Sequence, residues 1–291
     1  MWYSWYLQDV CGVGCPPPQR SEYRNTSQLL VFDTRGALAS CVSAATACPP
    51  FRTGTFLLYT ICMQQPVAFF DVDGTIFRSS LLIELVEALI SDGVFPAEAK
   101  DLYRFEATAW RNREGTYDDY IDAIIDTYLA HIKGVHYGEF ADVGKRVVNI
   151  HSKRVYRYTR DLIAELKGKG YYIVAISQSP KTVLDAFCKQ YGFDKVYGRM
   201  YEIGPQDRFT GNVTDVHLIE NKANIVKRVF EHNVDLTRTG SIAVGDTEGD
   251  IPLLESVETA ICFNPNEMLY TYAKRMGWRV VVERKDVIYH L

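Results

Sequence analysis

Short apolar runs alternate with amphipathic stretches over most of the chain, and this alternation constrains the fold more than any other feature. The runs have strand length and lie at VAFF (67–70), YYIVAI (171–176), SIAV (241–244), TAICF (259–263) and, more weakly, VVV (280–282). Segments of helical period separate or follow them at 157–168, 180–191, 220–232, 248–256 and 265–275. Buried strands that alternate with helices are typical of a parallel sheet covered on both faces. We therefore predict an α/β fold with a doubly wound parallel sheet.

One interval interrupts the alternation. About 100 residues (71–170) without a strand signal separate the first two predicted strands, whereas a crossover needs only about a dozen residues, usually with a helix. Helical patterns lie within it at 79–92, 97–112, 116–132 and 137–150, with breaks at SDGVFP and NREGT. We predict that residues 78–155 form an inserted helical domain beside a core made of residues 63–77 and 156–291.

The first 62 residues differ from the rest in composition. They contain five of the seven cysteines, no lysine and the proline clusters CPPP and CPP. Cys11 and Cys15 have the spacing of half a zinc site, but no Cys/His pair nearby completes it. We expect residues 1–62 to be a disordered extension, or the natural chain to start at Met63. In either case we expect these residues to contribute nothing to the chemistry.

Composition and charge argue against several classes of protein. The formal net charge of −4 gives no basic footprint for nucleic acid. No run reaches the roughly 18 apolar residues of a membrane span, and MWYSWYLQDV lacks the basic start of a secretory signal. Only Cys188 and Cys262 lie beyond residue 62, and isolated thiols suggest a reducing compartment. We expect a cytoplasmic protein without a nucleic-acid partner or a membrane span, and the sequence leaves its oligomeric state open.

Polar side chains follow three of the predicted strands directly, and a lysine stands near the start of a later helix. They are Asp71, Asp73, Ser177, Gln178, Ser179, Lys222, Asp246 and Asp250. Ligands of doubly wound sheets bind at the carboxyl ends of the strands. We therefore expect these side chains to meet at one edge of the sheet.

Each of these motifs also has an ordinary structural interpretation. DVDGT resembles part of a calcium loop, which needs Gly at position 6 and an acid at position 12. Counted from Asp71, Gly74 is at position 4 and Leu82 at position 12, so the match fails. Taken singly, the other residues serve equally well as strand-end caps, helix caps or a solvated helix lysine. Their joint order, each in a strand or helix context, favours a reaction centre.

The ordered set Asp-x-Asp-Gly-Thr, Ser, Lys and Gly-Asp-x-x-x-Asp resembles the motifs of the haloacid dehalogenase (HAD) superfamily over roughly residues 66–290. The helical insertion after the first motif is similar to the cap of its phosphoserine-phosphatase-like branch, subfamily IB. The resemblance implies a Rossmann-like core with a helical cap and a Mg²⁺-dependent phosphatase. It also implies a small phosphorylated metabolite as substrate.

The resemblance implies a role for each residue of the first motif. Asp71 is the expected nucleophile, and an aspartyl-phosphate on it splits one difficult step into two. Asp73 is the expected general acid and base. Thr75 is expected to support the loop, and Gly74 to permit its sharp turn.

The remaining motifs are implied to bind the phosphate and the metal. Ser177, Gln178 and Lys222 are the expected phosphate ligands. The expected Mg²⁺ ligands are Asp71, the backbone carbonyl of Asp73, and Asp246. Asp250 is expected to support the metal site or to orient Lys222.

The chain departs from this branch where the branch recognises phosphoserine. Ser80 stands in place of the glutamate that binds the substrate amine, and Ile124 or Ile125 in place of the arginine that binds its carboxylate. Gly249 replaces an asparagine of the fourth motif. Phosphoserine is therefore not the expected substrate. Candidates for contacting the leaving group are Tyr103, Arg104, Trp110, Arg111, Arg113 and Tyr117.

Two other functions stay open at this point. The first is transfer of the phosphoryl group to an alcohol acceptor instead of water, because the same residues serve both reactions. The second is a non-catalytic ligand-binding or scaffold protein on the same fold. The complete motif set argues against the second, because loss of a motif residue would be expected in such a protein.

Overall fold

The computed structural model describes residues 29–32, 38–41, 58–60, 64–216 and 221–291. The chain divides into two compact units, Met1–Met63 and Gln64–Leu291. In the first unit, strands β1 (Leu29–Phe32), β2 (Leu38–Cys41) and β3 (Leu58–Thr60) pair antiparallel in the order β2-β1-β3. The rest of the predicted extension, with Cys11 and Cys15, lies outside the described residues, so its character stays a prediction.

The second unit is built on an eight-stranded sheet in the order β11-β10-β9-β8-β4-β5-β6-β7. Its strands are β4 (Gln65–Asp71), β5 (Tyr172–Pro180), β6 (Lys195–Ile203), β7 (Phe209–Thr214), β8 (Leu236–Gly245), β9 (Thr259–Phe263), β10 (Arg279–Arg284) and β11 (Val287–His290). The strands from β10 to β6 pair in parallel, and β7 and β11 add antiparallel edges. The predicted doubly wound α/β fold is confirmed, with the correction that both edges are antiparallel.

Helices connect the strands of this sheet. They are α1 (Leu81–Ser91), α2 (Arg104–Asn112), α3 (Tyr117–Ile132), α4 (Tyr137–His151), α5 (Arg157–Gly168), α6 (Lys181–Tyr191), α7 (Lys222–His232), α8 (Ile251–Leu254) and α9 (Glu267–Met276). The segment predicted as one helix at 97–112 is divided into a 3₁₀-helix, Ala97–Leu102, and α2. Among the described residues, the structure contains no helix with the length and hydropathy to cross a membrane.

The central strand β4 shows why the sheet is covered on both faces. Ala68 and Phe70 belong to a buried cluster on one side, and Val67 and Phe69 to a second cluster on the other. All four are fully buried, as expected from the alternation of side chains along a strand. The first cluster also receives side chains of α1, α3 and α4, so the helical insert packs continuously onto that face. The role of residues 78–155 as a cap stays a proposal.

The order of the strands determines where a site forms. From β4 the chain crosses to β5 on one side and later returns to β8 on the other side. A crevice opens at the carboxyl ends of strands where the winding direction reverses. The residues at and just after the carboxyl ends of β4, β5 and β8 are therefore brought together at this edge.

Candidate active site

A buried lysine joins two buried aspartates at the end of β4. Asp71, the last residue of β4, is 5% exposed, and Lys222 and Asp250 are 7% and 1% exposed. Lys222 begins α7 and donates from Nζ to Oδ1 of Asp71 and to Oδ1 of Asp250, each at 2.5 Å. Burial raises the pKa of Asp71 to about 7, although the charge of Lys222 opposes this shift. Burial lowers the pKa of Lys222, but the two carboxylates outweigh it and raise the pKa overall, so the lysine stays charged.

The loop after β8 brings a third carboxylate beside this pair. The Thr75 hydroxyl donates to Oδ1 of Asp246 at 2.8 Å, which ties the first motif to the fourth. Oδ2 of Asp250 accepts from the backbone amides of Asp246 and Thr247, at 3.0 and 3.2 Å. Asp250 therefore holds the Asp246 loop with one oxygen and Lys222 with the other. Thr75 and Asp250 make the kinds of contact expected of supporting residues.

Gly74 permits the close approach of the two loops. Its φ is +86°, in the left-handed region that favours glycine. A Cβ at this position would lie 2.1 Å from Oδ2 of Asp246. Any side chain here would displace the Asp246 carboxylate, so the backbone of the first motif requires a glycine.

The three carboxylates fit a hard divalent cation. One oxygen each from Asp71, Asp246 and Asp250 lies within 4.8 Å of the others. Burial raises the pKa of Asp246 well above its ordinary value, with further contributions from the charges of Asp71 and Asp250. When all three carboxylates are ionised, Lys222 balances only one of their charges, and Mg²⁺ prefers oxygen ligands of this kind. The sequence predicts Asp71 and Asp246 as ligands, and Asp250 joins them in this cluster. The metal-binding roles of Asp71, Asp246 and the Asp73 backbone carbonyl stay predictions.

Asp73 is held by donors from two elements. Its Oδ1 accepts from the backbone amide of Leu81, at the start of α1, at 2.6 Å. Its Oδ2 accepts from the hydroxyls of Ser177 and Ser179, the latter at 2.8 Å. Ser177 is fully buried and also accepts from the amide of Ser179 at 2.9 Å. The Ser177 hydroxyl is thus bonded to Asp73, and its predicted role as a phosphate ligand stays a prediction.

A cavity of about 290 Å³ opens over these residues. From the core it is lined by Asp71, Asp73, Gln178, Ser179, Lys222, Asp246, Thr247, Glu248 and Gly249. From the insert it is lined by Ser80 and Leu82 and by one face of α3, namely Tyr117, Asp118, Ile121, Asp122, Ile125 and Tyr128. Ile124 points into the core and is fully buried, so Ile125 is the isoleucine that faces the site. Of the six aromatic and arginine candidates in the insert, only Tyr117 lines this cavity.

Two further lining residues were missed because their strand was not predicted. Arg199 and Tyr201 lie two positions apart on β6 and reach the same cavity. The segment KVYGRMYEI has no continuous apolar run, and its residues are mostly half-buried. Its sequence offers one signal of a strand. Valine, glycine, methionine and glutamate alternate in it with polar or aromatic residues.

Residues 68–255 match the family model of haloacid dehalogenase-like hydrolases. A histidinol-phosphatase of Neisseria meningitidis serogroup C is 24% identical over 228 residues, covering 75% of this chain and 99% of that protein. Phosphoserine phosphatase SerB1 of Mycobacterium tuberculosis is 25% identical over 218 residues, covering 73% and 69%.

Solved structures agree with the fold. A protein of unknown function from Bordetella pertussis Tohama I matches with a TM-score of 0.59 and 20% identity, over 75% of this chain and 98% of that one. A phosphoserine phosphatase in apo form matches with a TM-score of 0.51 and 19% identity, over 77% and 96%. At these identities the likeness concerns the architecture of the core and its insert.

Proposed function

Because the chain belongs to the haloacid dehalogenase-like hydrolase family, we propose that it is a Mg²⁺-dependent phosphatase. In this proposal it hydrolyses a small phosphate monoester through an aspartyl-phosphate on Asp71. The observation that carries the proposal is the buried contact of Lys222 with Asp71 and Asp250, beside Asp246. The histidinol and phosphoserine phosphatases among its relatives support the same reaction class.

The first step is attack of an Asp71 oxygen on phosphorus. A new P–O bond forms, the ester P–O bond breaks, and the leaving oxygen takes a proton from Asp73. Two unit negative charges about 4 Å apart repel by roughly 4 kcal/mol at an effective dielectric constant of 20. Lys222 lies against Asp71 and offsets part of this repulsion. A Mg²⁺ ion held by Asp71 and Asp246 would supply further positive charge for the phosphoryl oxygens.

The second step is hydrolysis of the aspartyl-phosphate. Asp73 takes a proton from water, the water oxygen attacks phosphorus, and the bond to Asp71 breaks. Proton transfer by a positioned group contributes typically about 10²–10⁴-fold to rate. The two serine hydroxyls and the Leu81 amide fix the orientation of the Asp73 carboxyl for this work.

The cavity supports a small substrate. Its volume of about 290 Å³ is at the lower end of ligand sites, which span roughly 300–1,000 Å³. Ser80 and Ile125 line it, and by the sequence resemblance they take the places of the two residues with which the phosphoserine-phosphatase-like branch binds the substrate amine and carboxylate. We therefore propose a small phosphorylated metabolite other than phosphoserine.

Phosphate release from a panel of phosphorylated metabolites tests this proposal. The full chain is assayed with Mg²⁺ and with EDTA, and p-nitrophenyl phosphate serves as an unselective control ester. We expect turnover of a few compounds with Mg²⁺ and loss of nearly all of it with EDTA, because the site then lacks the positive charge of the metal beside that of Lys222. Added glycerol separates hydrolysis from transfer, since transfer yields glycerol phosphate in place of free phosphate. A folded chain that hydrolyses no ester with Mg²⁺ present would contradict the proposal.

A further inference from the structure

A groove between α2 and α3 exposes large apolar side chains on the insert. Its volume is about 820 Å³, and it is lined by residues of both helices and of the preceding 3₁₀-helix. Leu102 and Phe105 line it and are 55% and 78% exposed. Single apolar side chains are ordinary at a protein surface, whereas an apolar patch with a polar rim is typical of an interaction site. This groove is therefore a candidate docking surface.

One face of α3 forms the floor of the groove. Its lining residues run from Asp119 to Ala130 at positions i, i+3, i+4, i+7, i+8 and i+11, the spacing with which a helix contacts another helix. The span corresponds to about 16 Å, or about three helical turns. Ala123, Thr127 and Ala130 are small, and the Thr127 hydroxyl already donates to the Ala123 carbonyl at 2.7 Å. Small side chains allow a second helix to approach closely, so the floor fits a helix.

The charges around the groove are all negative. Its acidic lining residues are Glu106, Glu114, Asp119, Asp122 and Asp126, and its lining includes no lysine, arginine or histidine. In the part of the chain that the structure describes, none of these five carboxylates forms an ion pair. Complementary charge attracts a partner and like charge repels it. The occupant that matches this apolar groove therefore carries basic side chains.

The same charges argue against a second copy of this chain as the occupant. In a two-fold symmetric pair, identical surfaces face each other. The five carboxylates of one copy would then face the five carboxylates of the other, and like charges across an interface are unfavourable. The whole chain also has a formal net charge of −4. The complementary partner is therefore a different protein.

We propose that the groove between α2 and α3 binds a basic amphipathic helix of a partner protein. The apolar stripe of that helix lies on Ala123, Thr127 and Ala130 and against Phe105, and its lysines or arginines face the carboxylates of the rim. This is the helix-in-groove mode of recognition. The groove uses a different face of α3 from the catalytic cavity, and Asp122 borders both. The proposal does not depend on the proposed reaction.

Binding of a defined peptide tests the proposal. The probe is a fluorescein-labelled helical peptide of about 14 residues, or about four turns, with a stripe of leucines flanked by lysines. Its binding to the full chain is measured by fluorescence anisotropy at an ionic strength of about 0.15 M, which screens loose surface attraction. A reordered peptide of the same composition, without the stripe, measures attraction by charge alone. We expect the striped peptide to bind at least about tenfold more tightly than the reordered one.

Substitutions assign this binding to the groove. Phe105→Ser removes an apolar wall, and Glu106→Gln combined with Asp126→Asn removes two charges, and none of the three residues lines the catalytic cavity. Each variant should weaken binding of the striped peptide about tenfold. Ile150→Ser and Asp142→Asn are the matched controls on α4, because Ile150 is 73% exposed, Asp142 is exposed, and both lie outside the groove. Both controls should bind the peptide as the wild-type chain does.

Three results would overturn the docking proposal. They are equal binding of the striped and reordered peptides, wild-type binding by either groove variant, and no binding at peptide concentrations up to about 1 mM. Sedimentation velocity examines the second copy, because a wild-type dimer that Phe105→Ser dissociates would show that another copy occupies the groove, which also overturns the proposal. Phosphate release is measured separately. A chain that binds the striped peptide as expected but hydrolyses no ester would contradict only the proposed reaction.

Discussion

Replacement of Asp71 by asparagine abolishes phosphate release from every ester that the wild-type chain hydrolyses. The amide cannot form the aspartyl-phosphate, so we expect kcat to fall on the order of 10⁴-fold or more, as with the loss of other enzymic nucleophiles. The fold should tolerate the change, because Lys222 keeps its contact with Asp250 at 2.5 Å. Initial rates with saturating substrate and Mg²⁺ measure the effect.

A second carboxylate serves as the control for this substitution. Asp142 lies on α4, is exposed and bonds to Lys145 at 3.1 Å. Asp142→Asn should retain wild-type rates. If the Asp71→Asn chain, purified free of wild-type enzyme, retains more than a few per cent of activity, another group is the nucleophile and the assignment is wrong.

Replacement of Lys222 by methionine lowers both stability and activity. Methionine has a similar length but no charge, and it leaves the buried carboxylates of Asp71 and Asp250 without their counter-charge. Removing one partner of a buried ion pair typically costs about 3–5 kcal/mol. We expect a loss of this size in the free energy of unfolding at pH 7.5, measured by urea denaturation without metal.

The same substitution removes a charge that the reaction uses. Loss of one electrostatic contact to the transition state typically lowers kcat by about 10²–10³-fold, and we expect a decrease in this range. The destabilisation should be smaller at pH 5, because the buried Asp71 carboxylate, whose pKa burial raises, then takes up a proton more readily.

Lys227 on the same helix supplies the matched control. It is exposed and lies 3.8 Å from Glu231, and such surface pairs contribute about 0–1 kcal/mol. Lys227→Met should therefore leave stability and activity nearly unchanged. If Lys222→Met is as stable as Lys227→Met, then Lys222 is not the structural centre of this site.

The central strands could be predicted from the sequence because they are buried on both faces. Val67 to Phe70 form a continuous apolar run, since two clusters cover β4 from opposite sides. The edge strands β7 and β11 are mostly half-buried or exposed, and neither contains a run of four apolar residues like that of β4. The antiparallel pairing of the edge strands depends on tertiary packing and could not be predicted from the sequence pattern.

The motif residues of the site were predictable because they lie at or just after the carboxyl end of a strand, or begin a helix. Asp71, Lys222 and Asp246 meet at one edge, as the order of motifs indicated. The walls of the cavity were harder to predict. Helical period indicated α3 but could not show which of its residues face the carboxylates, and Arg199 lies on a strand that the sequence did not reveal.

The hydrogen bonds of Asp73 show what a sequence motif cannot predict. Ser177 was assigned to the phosphate by resemblance, but in the structure its hydroxyl bonds to Asp73 together with that of Ser179. A motif identifies which polar residues converge, whereas the rotamer of a hydroxyl depends on neighbours that the motif does not include.

The most direct test of the proposed mechanism is acid quenching of a single turnover. The full chain, loaded with Mg²⁺, is mixed in excess with an ester that it hydrolyses, and the reaction is quenched with acid within milliseconds. The protein is then digested, and the peptides are analysed by fragmentation mass spectrometry. We predict a transient phosphoryl group on Asp71, absent from Asp73 and from the Asp71→Asn chain. A phosphoryl group on another residue, or full turnover without any labelled peptide at the earliest times, would contradict the covalent mechanism.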